Sequence, residues 1–276
     1  MTHIVALHSY RGGTGKTNVA ANLAAELARG GARVALVDTD IQSPGIHILF
    51  DLDVDGAYTI NDVLWGRCTI EDACHDVTNR LEQGLNAPLN APSPGRLLLL
   101  PASLKALEIA RIAREGYDIE LLNEALMQLC GTRALDYLIL DTHPGLNNET
   151  LLSIAMSDTT IMVLRPDYQD YQGTAVTLLL TRHLEVPRTL LVVNKIHPEF
   201  DLDLLEKRIH DSYGAEIGAM LLLSDDLIRN GSQDLTAVLQ PDGAFAAGIR
   251  QLAGRLRTDA SASPVPPGQT GQHGQS

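Results

Sequence analysis

Tyr10 to Asn18 reads YRGGTGKTN, and the fold follows from what stands on either side of it. A short apolar run, His3 to Ser9, precedes it, and a helical pattern starts near Lys16. A strand, a glycine-rich loop and a helix in that order make a phosphate cradle. Glycines let consecutive backbone N–H groups turn inward, and the helix N-terminus adds positive partial charge. Lys16 supplies a full charge and Thr17 a hydroxyl for a metal. Neither Ser9 nor Tyr10 is the glycine that the longer G-x-x-x-x-G-K-[ST] pattern requires. A glycine-rich turn without a ligand is the plain alternative, and the flanking strand and helix argue against it.

Beyond the loop the chain alternates apolar runs with helical patterns. Strands are expected at His3–Ser9, Arg33–Val37, Leu97–Leu100, Tyr137–Leu140, Thr160–Leu164, Thr189–Val193 and Glu216–Leu223. Helices are expected at Asn18–Arg29, over Leu104–Cys130 with a break near Gly116, and at Glu149–Met156, Gln172–His183, Leu202–Tyr213 and Gly243–Arg257. Thr59–Leu64 and Thr69–Ala73 read as two short helices, each opened by a threonine cap. The alternation specifies an α/β fold, a mostly parallel twisted sheet with helices on both faces. Hydrophobic residues are 45% of the 276 and aromatics only 4%, which suits an aliphatic core of this type. Residues 1–257 read as one domain and 258–276 as a disordered tail, with 84–96 a Gly/Pro/Asn-rich loop.

A net charge of −13 disfavours nonspecific binding to DNA or anionic membranes, unless a local basic patch overrules it. Cys68, Cys74 and Cys130 lack C-x-x-C spacing and read as reduced packing residues of a cytoplasmic protein. No apolar run is long enough for an integral membrane segment, and no signal segment precedes the first strand.

Ligands of an open parallel sheet sit beyond the carboxyl ends of its strands. The first strand ends at the loop, the second at Asp38-Thr39-Asp40, and the Tyr137–Leu140 strand at Asp141, followed by Thr142-His143-Pro144-Gly145. The compressed loop, [K/R]-G-G-T-G-K-T, resembles the deviant Walker A loop of the MinD/ParA family of P-loop ATPases. The resemblance covers residues 3 to 257. It includes the D-x-D segment, the Walker B-like Asp141, Asn194 after VVN, and the stretch SDDLIRNGSQDL at 224–235.

That resemblance implies ATP and Mg²⁺ as ligands. Arg11, Gly12, Gly13, Thr14, Gly15, Lys16, Thr17 and Asn18 would hold the phosphates, and Asn194 would read the adenine edge. Thr17 would bind the metal, Asp141 through a water, with Asp38 supporting the magnesium shell or the switch. Asp40 would polarise the attacking water, assisted by Lys16. Arg11 stands where the family carries a lysine that crosses a face-to-face homodimer, so it is expected to act as a trans arginine finger. His143 sits in the switch, where relatives often have proline. The function implied is an ATP-dependent dimerisation switch that positions, partitions or regulates a cargo through an unknown activator or adaptor protein. The alternatives are a DNA-bound partition ATPase, a P-loop metabolic ligase, and a non-hydrolysing nucleotide-sensing module.

Overall fold

A computed structural model describes residues 1–82, 95–229, 231 and 233–260. Eight strands form one sheet: β1 (His3–His8), β2 (Arg33–Asp38), β3 (His75–Asp76), β4 (Arg96–Leu100), β5 (Tyr137–Asp141), β6 (Thr159–Leu164), β7 (Arg188–Ile196) and β8 (Glu216–Leu222). Their order is β3-β4-β2-β5-β1-β6-β7-β8. Seven of these strands run parallel, and only β3 is antiparallel, against β4 at the edge. The helices are α1 (Lys16–Arg29), α2 (Ile60–Leu64), α3 (Ala106–Glu115), α4 (Ile119–Arg133), α5 (Asn148–Ala155), α6 (Tyr168–His183), α7 (Leu202–Tyr213), α8 (Asp225–Arg229), α9 (Thr236–Leu239) and α10 (Ala244–Ala260).

The strands are apolar on both faces, and alternate residues enter different cores. Val5, Leu7, Val34, Leu36, Ile139, Val163 and Val192 pack under α1 and α10. Val37, Leu98, Leu100, Leu138 and Leu140 pack against α4 on the opposite face. Leu164, Leu191 and Val193 meet α6 and α7 further along that face. Burial on both faces therefore makes β1 a rigid support for whatever follows His8.

The order of strands positions the site. The chain leaves β1 for β2, and β5 later returns into the gap between them. Asp141 is consequently the register partner of Leu7 on one side and of Asp38 on the other. On the far side of β1 the chain turns to β6, so the loop after β1 lies where the direction of winding changes, which is where open sheets bind ligands.

Two expectations are corrected. Thr69–Ala73 is a turn, not a helix: Asp72 and Thr69 exchange cap-like hydrogen bonds, but the chain passes at once into β3. Thr59, by contrast, does open a helix, with a capping box to Asp62. The closing helix runs past residue 257 to Ala260. The expected disordered tail beyond that point, residues 261–276, and most of the 84–96 loop lie outside the described residues.

Candidate nucleotide site

The loop from Tyr10 to Gly15 has the shape its glycines permit. Gly13 and Gly15 have φ of 80° and 89°, a region that side chains with a Cβ rarely adopt. Gly15 is the N-cap of α1 and no side chain caps the helix, nor does an acidic residue occupy its first turn. The N–H groups of Lys16 and Thr17 thus stand at the positively polarised end of a 14-residue helix. Thr14 Oγ1 is buried without a hydrogen-bond partner among the described residues. A Cβ added at Gly12 would come into ordinary van der Waals contact with Pro144 of the segment after β5.

Lys16 is almost wholly buried and its Nζ lies 2.6 Å from Asp141 Oδ1. Asp38 is buried beside them. Its Oδ2 accepts from the N–H groups of Gly45 and Ile46 at 3.2 and 3.3 Å, and Oδ1 accepts from Asp40 N–H at 3.2 Å. Burial, then repulsion from Asp141, push the Asp38 carboxyl up to about 7. Two carboxylates and one lysine in a dry pocket leave one negative charge uncompensated, which a cation would relieve.

Asp40 sits two residues beyond Asp38, and its Oδ1 accepts from Ser43 N–H at 3.2 Å and from His143 Nδ1 at 2.6 Å. His8, ending β1, is fully buried and shares a 3.1 Å hydrogen bond with Thr142 Oγ1. Burial, with the neighbouring charge of Lys16, pulls its imidazole down to about 3, so it stays neutral.

Asn194 and Lys195 reach the loop from the end of β7. Asn194 Nδ2 donates to the Thr14 carbonyl and Lys195 Nζ to the Gly13 carbonyl, each at 2.8 Å. Asn194 therefore braces the loop backbone in this state. Lys195 holds a left-handed backbone, φ 57°, at an irregularity in the β7–β8 pairing, local strain of the sort found at functional positions. Beyond it, a cavity of about 370 Å³ opens between the ends of β7 and β8, lined by His197, Pro198, Leu223, Thr236 and Phe245. Arg11 folds back toward its own chain, 3.9 Å from Asp167 and 3.8 Å from Asp170 at the start of α6.

The structure thus gathers Lys16, Thr17, Asp38, Asp40 and Asp141 at the ends of three adjacent strands, with Arg11 on the rim and Asn194 behind the loop. Sequence reading marked Asn194-Lys195 as a base-recognition position but did not find His8, the bond from Lys195 to the loop, or the bond from His143 to Asp40. A buried histidine at a strand end was the only visible signal for the first. Several arginines that could contribute to a basic patch for DNA are engaged within the chain. Arg188 and Arg255 pair with Glu216, and Arg182 and Arg257 donate to the Tyr213 and Glu26 carbonyls. No helix among the described residues is long and apolar enough to cross a membrane.

An AAA-domain family model matches residues 2–189. An uncharacterized ATP-binding protein of Methanocaldococcus jannaschii is 28% identical over 258 residues, 93% of this chain and 88% of that one. The septum site-determining protein MinD of Synechocystis is 28% identical over 199 residues, 72% of this chain and 66% of that one. Among solved structures, MinD of Pyrococcus horikoshii, complexed with Mg-ADP, superposes with a TM-score of 0.76 at 22% identity, covering 95% of this chain and 98% of that one. The fold and site define a P-loop nucleotide-binding protein. The chain belongs to the MinD/ParA family.

Proposed function

We propose that this chain is a Mg-ATP-dependent switch, hydrolysing ATP slowly and cycling between a nucleotide-free form and an ATP-closed homodimer that engages protein partners. The observation that carries the reading is the buried Lys16–Asp141 pair, set beside Asp38 at the uncapped end of α1. The pair is a resting contact. With a triphosphate bound, Lys16 would exchange Asp141 for phosphate oxygens and Asp141 would be free to help hold a cation.

The residues present fit both ligands. Thr14 Oγ1, buried and without a partner among the described residues, and the positively polarised N-terminus of α1 suit phosphate oxygens. Thr17, Asp38 and Asp141 offer hard oxygen donors of the kind magnesium takes. No cluster of three or more His, Cys, Asp or Glu side chains among the described residues makes a metal site by itself. The ion would complete its shell with phosphate and water, as magnesium does in such sites. Bound Mg²⁺ would neutralise charge developing between the β- and γ-phosphates.

The protein's part is positioning and charge. Lys16 would leave Asp141 for the β- and γ-phosphate oxygens. Asp40 would accept a hydrogen bond from the attacking water and align it with the γ-phosphorus. Arg11 would leave Asp167 and Asp170 to meet the partner subunit's nucleotide. The engagement of Arg182, Arg188, Arg255 and Arg257 within the chain favours protein partners over DNA. The test is phosphate release from Mg-ATP with no added metabolite, beside equilibrium nucleotide binding. Wild type should bind ATP and release phosphate, and Asp40→Ala should bind it and lose turnover by about a hundredfold. Turnover undiminished in Asp40→Ala would overturn the assignment.

A further inference from the structure

One contact in the site is not used by the reading above. His143 Nδ1 lies 2.6 Å from Asp40 Oδ1, and the two side chains are 28% and 12% exposed. Ser43 N–H donates to the same oxygen. The described bonds to the Asp40 carboxylate therefore fall on Oδ1 and leave Oδ2 for another donor. A carboxylate only accepts, so the proton of the short bond sits on Nδ1.

His143 is itself held from two directions. Its carbonyl accepts from Thr150 Oγ1 at 3.1 Å, in the first turn of α5. The preceding residue, Thr142, donates from Oγ1 to the Leu7 carbonyl at 2.9 Å and meets His8 at 3.1 Å. The imidazole thus stands on a segment tied to both β1 and α5. Burial raises the nearby Glu149 carboxyl, which also feels both His143 and Asp40. A carboxylate free to rotate spends much of its time with neither oxygen where a water needs it. Fixing one oxygen removes that freedom before the reaction, which is the entropy an enzyme spends in advance.

We propose that His143 is a positioning residue, holding Asp40 by Oδ1 so that Oδ2 is presented to the attacking water. The proposal rests on the ATPase reading above. It explains why a histidine stands in a segment that otherwise reads as a glycine- and proline-bearing turn.

The test compares His143→Ala with His143→Asn in the full chain, because the asparagine amide keeps an N–H donor close to the Nδ1 position. Turnover and ATP Kd are measured for each, and the imidazole ¹⁵N signals of His143 are recorded in the nucleotide-free protein. His143→Ala should lower kcat by tenfold or more while ATP Kd changes less than about twofold, and His143→Asn should recover to within about threefold. Adding His143→Ala to Asp40→Ala should cost nothing further. The Nδ1 signal should be that of a protonated nitrogen and should shift in Asp40→Ala. An unaffected kcat in His143→Ala, an equally slow His143→Asn, or an Nδ1 signal indifferent to Asp40→Ala overturns the proposal. Wild type that binds ATP without releasing phosphate overturns the hydrolytic reading, and this one with it. Normal wild-type turnover with an unimpaired His143→Ala overturns this one alone.

Discussion

Asp38 and Asp141 are register partners on adjacent strands, and Lys16 pairs with only the second of them. The site is thereby built with one carboxylate too many for its resident cation. Asp38 answers by binding its proton more tightly and by accepting backbone N–H groups. The arrangement is tolerable at rest and improves when a second cation arrives.

The Lys16–Asp141 pair has a consequence for the nucleotide-free protein. Removing one member of a buried pair strands the other charge and costs about 3–5 kcal/mol. Lys16→Met should lower stability in urea by that order, and adding Asp141→Asn should recover much of the loss. If Lys16→Met unfolds like wild type, the Lys16–Asp141 pair does not stabilise the resting site.

His8 gives the acid limb of stability a definite sign. Its folded value lies near 3, below the ordinary 6.5, so the unfolded chain takes up the proton first. The contribution is complete above about pH 6.5 and is lost as pH falls from there toward 3. His8→Asn should therefore show a shallower fall in Tm than wild type between pH 7 and pH 4. Parallel curves for the two proteins would show that His8 is protonated in the folded state.

Tyr10 rests on Gly173 of α6, where an added Cβ would collide with the phenol ring. The ring adjoins the start of the phosphate loop, so a methyl group there pushes on the loop as well as on the helix. Gly173→Ala should cost about 1–3 kcal/mol by overpacking and weaken ATP binding severalfold in a fluorescent-nucleotide titration. Unchanged affinity in a destabilised variant would confine the effect to packing.

Much of this was legible from residue order alone. The parallel strands and the helices between them follow from apolar periodicity. The polar residues at strand ends, Asp38, Asp40 and Asp141, were placed because ligands of such sheets gather there. The insertion of β5 between β1 and β2 was not legible, because sheet order depends on packing between distant segments. β3 was missed because two residues, His75 and Asp76, carry no period. His143 and Asp40 are 103 positions apart, and only the return of β5 beside β2 brings them together. Thr69 looked like a helix cap because its local chemistry is that of one, with Asp72 as partner, but the next strand begins too soon for a helix to form.

We propose that nucleotide closes two copies of the chain on each other. Light scattering on a sizing column, with and without Mg-ATP, tests it for wild type, Arg11→Ala and Asp40→Ala. Wild type should run as a monomer without nucleotide and shift toward a dimer with Mg-ATP. Asp40→Ala should hold the dimer longer, and Arg11→Ala should weaken it. A wild type that stays monomeric while ATP is demonstrably bound contradicts the account.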